Sequence, residues 1–150
     1  MTIDVMRPIL VAEDDPNDAL LLIRSIRKAD INNPIVTVPD GDAAIEYLGG
    51  TGAFSDRDAH PLPVVLLLDL KMPRRSGFDV LAWLRAQPEL GRLPVVVLTS
   101  SRESVDIERA YALGVNSYLV KPGTADELVE IMRKVGPYWL GLNESPEISR

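Results

Sequence analysis

The stretch Val64-Val65-Leu66-Leu67-Leu68-Asp69-Leu70-Lys71-Met72-Pro73 decides the fold. Its first five residues are an unbroken run of branched aliphatic side chains with no polar position for a solvated face, so a strand built from them is covered on both sides. Strands of that kind belong to parallel sheets flanked by helices. The run stops on a carboxylate, Asp69, and residues 70–74 separate that acid from the next plausible helix start near Ser76. Asp69 is therefore not the cap of the following helix.

Four more short apolar runs occur on either side, at residues 8–12, 34–38, 95–98 and 117–120. The segments between them carry helical spacing. Ala19, Leu22, Ile23 and Ile26 fall at i, i+3, i+4 and i+7, as do Leu128, Ile131, Met132 and Val135, while Ala43, Ala44, Tyr47 and Leu48 form a shorter stripe. Helix starts are expected at Asp15-Pro16, at Ser100 with Glu103, and at Thr124 with Glu127, the last two in capping-box spacing. The alternation predicts βαβαβαβαβα, a doubly wound α/β fold with a five-stranded parallel sheet, its first helix at about 16–29 and its last at about 124–136.

Composition narrows the chemistry. The chain has 150 residues, 16 basic and 22 acidic for a net charge of −6, no cysteine and one histidine, His60. One domain of this size buries a sufficient core without disulfides or structural zinc. Thiol catalysis, thiolate metal sites and histidine-paired triads are excluded. The acidic balance argues against nucleic acid and anionic membranes as partners. With no bilayer-length apolar run and no signal-peptide pattern, the expected location is the cytoplasm. The domain is expected over 1–136, with a long Gly- and Pro-rich loop at 49–63 and an extension at 137–150 that is too short for an output domain. Tyr138, Trp139 and Leu140 in that extension either cap their own core or pack on a partner subunit.

Parallel strands align their C-terminal ends, and in such sheets ligands sit outside that edge. The residues placed there are Glu13, Asp14 and Asp15 after the first run, Asp69 after the third, Thr99 after the fourth and Lys121 after the fifth. Converging carboxylates repel one another, and a hard divalent cation is the usual remedy; magnesium suits one or two carboxylates plus waters and phosphate oxygens. A carboxylate beside magnesium is also a nucleophile for phosphoryl transfer, with Lys121 and Thr99 placed to hold the phosphoryl oxygens. The alternatives are helix capping for Asp15, strand-end capping for Thr99 and a solvated surface position for Lys121.

These motifs resemble the receiver domain of two-component response regulators, over residues 7–136 of the chain. The resemblance rests on Ile9-Leu10-Val11-Ala12-Glu13-Asp14-Asp15, on Leu67 to Pro73 with Gly77, on Val97-Leu98-Thr99-Ser100 and on Tyr118-Leu119-Val120-Lys121-Pro122. Thr99 follows Asp69 by 30 residues and Lys121 follows Thr99 by 22. It implies a flavodoxin-like (βα)5 receiver and a phosphoacceptor signalling domain rather than an enzyme acting on other substrates. By position, Asp69 would be phosphorylated by a sensor histidine kinase. Asp14 and the backbone carbonyl of Lys71 would join Asp69 around magnesium, with Glu13 acting on it through water. Thr99, Ser100, Tyr118, Lys121 and Pro122 would surround the phosphoryl group and carry the switch, with a cis bond before Pro122. The long loop and the Tyr138-Trp139-Leu140 ending resemble the stand-alone receivers that accompany bacterial phytochromes, which implies a phytochrome-type kinase and a homodimer. A dehalogenase-like phosphatase is the competing class, but it needs a second Asp where this chain has Lys71. A receiver that serves only as a constitutive binding module is the third reading.

Overall fold

A strand that is apolar at every position supplies two cores at once, and the three central strands of this sheet do so. The computed structural model describes residues 7–142, with β1 (Ile9–Ala12), β2 (Ile35–Val38), β3 (Val65–Leu68), β4 (Val95–Thr99) and β5 (Ser117–Val120) all parallel, in the order β2-β1-β3-β4-β5. The two-residue period of the side chains sends Leu10, Ala12, Leu66, Leu68, Val95 and Val97 to one face and Ile9, Val11, Val65, Leu67, Val96 and Leu98 to the other. The first set packs with α2 (Gly41–Gly49) and α3 (Gly77–Arg85), the second with α1 (Pro16–Lys28) and α5 (Ala125–Pro137). Helix α4 (Ser104–Ala112) buries little besides Ala110. The expected doubly wound five-stranded sheet is the observed one, and the helical stripes are its packing faces.

Boundaries shift for identifiable reasons. Pro8 and Pro34 have no N–H for the ladder, so β1 and β2 begin one residue later, although both prolines accept bonds through their carbonyls from Val64 and Ile9. Asp15 caps α1, accepting from Asn17 N–H at 2.8 Å and Asp18 N–H at 3.3 Å. Ser76 and Asp79 form a reciprocal capping box on α3. The box expected between Ser100 and Glu103 does not form. The chain uses residues 100–103 to cross the sheet edge, Glu103 is the N-cap residue of α4, and the neighbouring Ser101 hydroxyl accepts the Glu103 N–H at 3.3 Å.

The 49–63 segment is exposed over most of 51–59 but is pinned to the fold by a few side chains. It contains a short 3₁₀ turn, Gly52–Phe54, and Arg57 donates to the carbonyls of Tyr47, Leu48 and His60, closing the end of α2. The rings of Tyr47, Phe54 and His60 meet at 5.0 to 6.1 Å. Beyond α5 the chain makes a π-helical turn, Tyr138–Leu142. Trp139 and Leu140 fold back beside Ile9, Ile26, Ile31 and Val65, so the described part of the extension caps its own core. Among the described residues no helix is long and apolar enough to cross a membrane.

Candidate functional site

Strand register builds the site. Ala12 pairs with Leu68, so the residues that follow, Glu13 and Asp69, emerge side by side, and the Asp69 N–H is tied to the Ala12 carbonyl at 3.0 Å. Across the sheet Thr99 pairs with Val120, and Lys121 N–H donates to the Thr99 carbonyl at 2.7 Å. Residues far apart in sequence thus reach one edge through backbone pairing alone.

Carboxylate oxygens of Glu13, Asp14 and Asp69 lie within 4.8 Å of one another. Glu13 and Asp69 are 7% and 8% exposed, whereas Asp14 faces solvent, so the cluster is walled on two sides and open on the third. The Lys121 ammonium reaches into it, 2.5 Å from Glu13 Oε1 and 3.2 Å from Asp69 Oδ2, and it also touches Asp18 Oδ2 at 3.2 Å. Glu13 further accepts the Asp15 N–H at 3.2 Å, and Asp69 Oδ1 accepts the Lys71 N–H at 3.3 Å. Burial pushes the Glu13 carboxyl up to about 7, with repulsion from Asp69 adding to it and the Lys121 hydrogen bond opposing it. Burial disfavours charge on Lys121, but its bond to Glu13 and the field of Asp69 outweigh that and hold the ammonium charged. Three hard oxygen donors with one open side fit a partly hydrated divalent cation, which would offset the repulsion now met by one lysine.

The residues expected around a phosphoryl group fall where the strand ends put them. Thr99 is fully buried, and its hydroxyl has no hydrogen-bond partner among the described residues, an uncommon state for a buried polar atom. Tyr118 is half-buried, and its hydroxyl donates to the Ser101 carbonyl at 3.0 Å, which turns the ring toward the β4–α4 loop. Ser100 is exposed on that loop and Lys71 is exposed after β3. Pro122 is half-buried and lines a cavity of about 70 Å³ beside Lys121 and Glu13. The expected cis bond before Pro122 is absent: no peptide among the described residues is cis, and Lys121 reaches Asp69 through a trans bond.

Two glycines let neighbouring loops close on the site. A Cβ on Gly77 would stand 2.2 Å from the Asp69 carbonyl oxygen, and one on Gly41 would stand 2.0 Å from that of Arg75. Helix α3 can start against the backbone of Asp69 only because residue 77 has no side chain. Sequence reasoning missed Asp18. It lies three residues after the Asp15 cap, where an acid reads as an ordinary first-turn helix residue, and nothing local shows that it meets a lysine 103 residues away.

A five-stranded parallel sheet with buried carboxylates, a lysine and a hydroxyl converging at its C-terminal edge defines a receiver-type signalling domain. Residues 9–133 match the family model described as "Response regulator receiver domain", and the chain belongs to that family. It is 37% identical to the probable methanogenesis regulatory protein FilR2 of Methanothrix harundinacea, over 92% of this chain and 86% of that protein. It is 34% identical to response regulator Rcp1 of Synechocystis, over 88% of each. A Mn(2+)-bound structure of Rcp1 superposes with a TM-score of 0.83 at 33% identity, covering 94% of this chain and 99% of the other. The phosphorylated cyanobacterial phytochrome response regulator RcpA gives a TM-score of 0.87 at 32% identity, covering 95% and 99%. Receiver domains bind a divalent metal and signal in two-component systems. A sensor histidine kinase is the partner that membership implies.

Proposed function

We propose that Asp69 is the phosphoacceptor and that Glu13, Asp14, Asp69 and the Lys71 carbonyl hold magnesium beside it. The observation that carries this reading is the convergence of the three carboxylates within 4.8 Å with Lys121 bound to Asp69 from the side. An Asp69 carboxylate oxygen attacks the phosphorus of a phosphohistidine; the P–N bond breaks, the imidazole leaves and takes up a proton, and an acyl phosphate forms. Magnesium held by these groups would supply charge neutralisation for the phosphoryl oxygens. Lys121 pairs with one of those oxygens, and the partnerless Thr99 hydroxyl moves to donate to another. Removal of Thr99 from its present place opens room beside Tyr118, whose ring turns inward and gives up the Ser101 carbonyl. Ser100 and Pro122 border the phosphoryl group on the loops after β4 and β5.

The resulting change of surface acts through protein contacts in the cytoplasm, not on nucleic acid or membrane, in keeping with the net charge of −6. Likeness to RcpA favours a phytochrome-type kinase as the donor. A homodimer is the working assembly, supported by the exposed apolar side chains Val105, Tyr111 and Tyr138. Incubation with phosphoramidate and magnesium is expected to add one phosphoryl group, and Asp69→Asn to add none; equal labelling of both would overturn the assignment. Sedimentation with and without a beryllofluoride mimic tests coupling to assembly.

A further inference from the structure

The Lys121 ammonium has three N–H donors and meets three carboxylates, Glu13, Asp69 and Asp18, and these acceptors are not equivalent. Glu13 and Asp69 belong to the trio suited to a divalent cation; Asp18 stands outside it. The position of Asp18 is set independently of the site, because Pro16 opens α1 and the Asp15 side chain accepts the Asp18 N–H at 3.3 Å. A divalent cation and an ammonium compete for the same oxygens on Glu13 and Asp69, and they repel each other. An acceptor held on a separate element relieves that competition.

We propose that Asp18 is a positioning residue for Lys121: it takes up the ammonium when a divalent cation claims Glu13 and Asp69, so the site keeps both its lysine and its metal-binding oxygens. The proposal rests on the reading that Glu13, Asp14 and Asp69 bind the cation. Without Asp18, Lys121 leans on Glu13 and Asp69 alone and competes harder with the metal. Two simpler roles make different forecasts. An acid in the first helical turn favours the helix dipole and touches only stability. A background negative charge attracts any cation whether or not Lys121 is present.

Calorimetric titration of the full chain with magnesium separates these roles, using the unsubstituted protein, Asp18→Asn, Asp18→Glu, Lys121→Met and the double variant Asp18→Asn/Lys121→Met. For a half-exposed ion pair, Asp18→Asn is expected to weaken magnesium binding about threefold when Lys121 is present. In the Lys121→Met background it is expected to leave the affinity unchanged, and Asp18→Glu, which keeps the charge within reach, is expected to recover most of the loss. Thermal unfolding without metal confirms that each variant folds, with Asp18→Ser replacing Asp18→Asn if the latter does not. Equal weakening in both backgrounds, or none in either, overturns the proposal while leaving the metal site standing. No magnesium binding by the unsubstituted chain overturns the metal reading and this proposal with it.

Discussion

The two edges of the sheet treat their cationic side chains in opposite ways. At the N-terminal edge, arginines bind neutral backbone. Arg85 donates to the carbonyls of Gly91, Leu93 and Gly114 ahead of β4 and β5, Arg7 to Leu62 and Pro63 ahead of β3, and Arg27 to Ile31 and Asn33 ahead of β2. At the C-terminal edge the half-buried Lys121 faces three carboxylates, and the Thr99 hydroxyl has no hydrogen-bond partner among the described residues. The planar guanidinium fork fixes several carbonyls in one geometry, whereas an ammonium on a flexible stem can exchange partners. One edge is satisfied and static. The other is left with repulsion and an unmet hydrogen bond, both of which a cation and a phosphoryl group would relieve.

The strongest way to break this contrast is at Asp69. Asp69→Asn is expected to abolish labelling by phosphoramidate completely, read by intact mass, while leaving the thermal midpoint equal to or above that of the parent because one of the clustered charges is gone. Magnesium affinity comes next. On the proposed reading a proton and the metal compete for Glu13, whose carboxyl burial pushes up to about 7, so affinity measured by calorimetry should hold above pH 7 and fall below it, approaching about tenfold per pH unit. A flat profile from pH 8 to 6 would show that Glu13 is not a ligand. Trp83, against Gly49, and Trp139, against Ile9 and Val65, lie toward the opposite edge, so calorimetry is preferred to intrinsic fluorescence.

The static edge should respond in the reverse sense. Arg85→Ala removes a charged donor from several carbonyls and from Asn116, which is expected to cost about 2 kcal/mol of stability by urea unfolding. Labelling of Asp69 in the folded variant should proceed at the parental rate. Thr99→Val tests the unmet hydroxyl: an isosteric apolar side chain should stabilise the resting protein by about 1 kcal/mol and remove its conformational response to beryllofluoride. Destabilisation by Thr99→Val would mean that the hydroxyl has a partner at rest.

Legibility in the sequence divides along the same line. The C-terminal edge could be read because its residues sit at strand ends, and strand ends follow from apolar runs such as 64–68; register then carried Glu13, Asp69, Thr99 and Lys121 together. Gly77 enters the sequence reading only as part of the motif that carries the resemblance, and its reason, the 2.2 Å approach to the Asp69 carbonyl, appears only in three dimensions. The arginine clamps were invisible, since Arg85 reads as the polar end of an amphipathic helix and its partners lie up to 31 residues away. Capping-box spacing points to Ser100 with Glu103, but Glu103 is itself the N-cap residue of α4 and its N–H is met by the Ser101 hydroxyl, which a spacing rule does not single out. Asp18 was hidden by a helix-start pattern that explains an acid there without reference to anything distant. The cis bond before Pro122 came from resemblance, not from the residues, and the trans bond found instead still brings Lys121 to Asp69.

The smallest expected effect lies between the two edges, at Tyr118. Its hydroxyl is held by a carbonyl, as the arginines are, but it sits on the edge that has to move. The Ser101 carbonyl that it binds belongs to a residue fixed in turn by a 2.6 Å hydrogen bond from its hydroxyl to Asp106 on α4. Tyr118→Phe keeps the ring and deletes that single bond, so the outward position should lose about 1 kcal/mol and the inward population rise about fivefold. Beryllofluoride should then bind more tightly by up to that factor with the rate of Asp69 labelling little changed, since the deleted hydrogen bond runs to Ser101 and to none of the carboxylates. Unchanged affinity would mean that the Tyr118 bond is as replaceable by water as a surface contact. The ring position would then be set by its packing against the core, and the boundary between the static and the mobile parts of the fold would run through β5 rather than through the loop after β4.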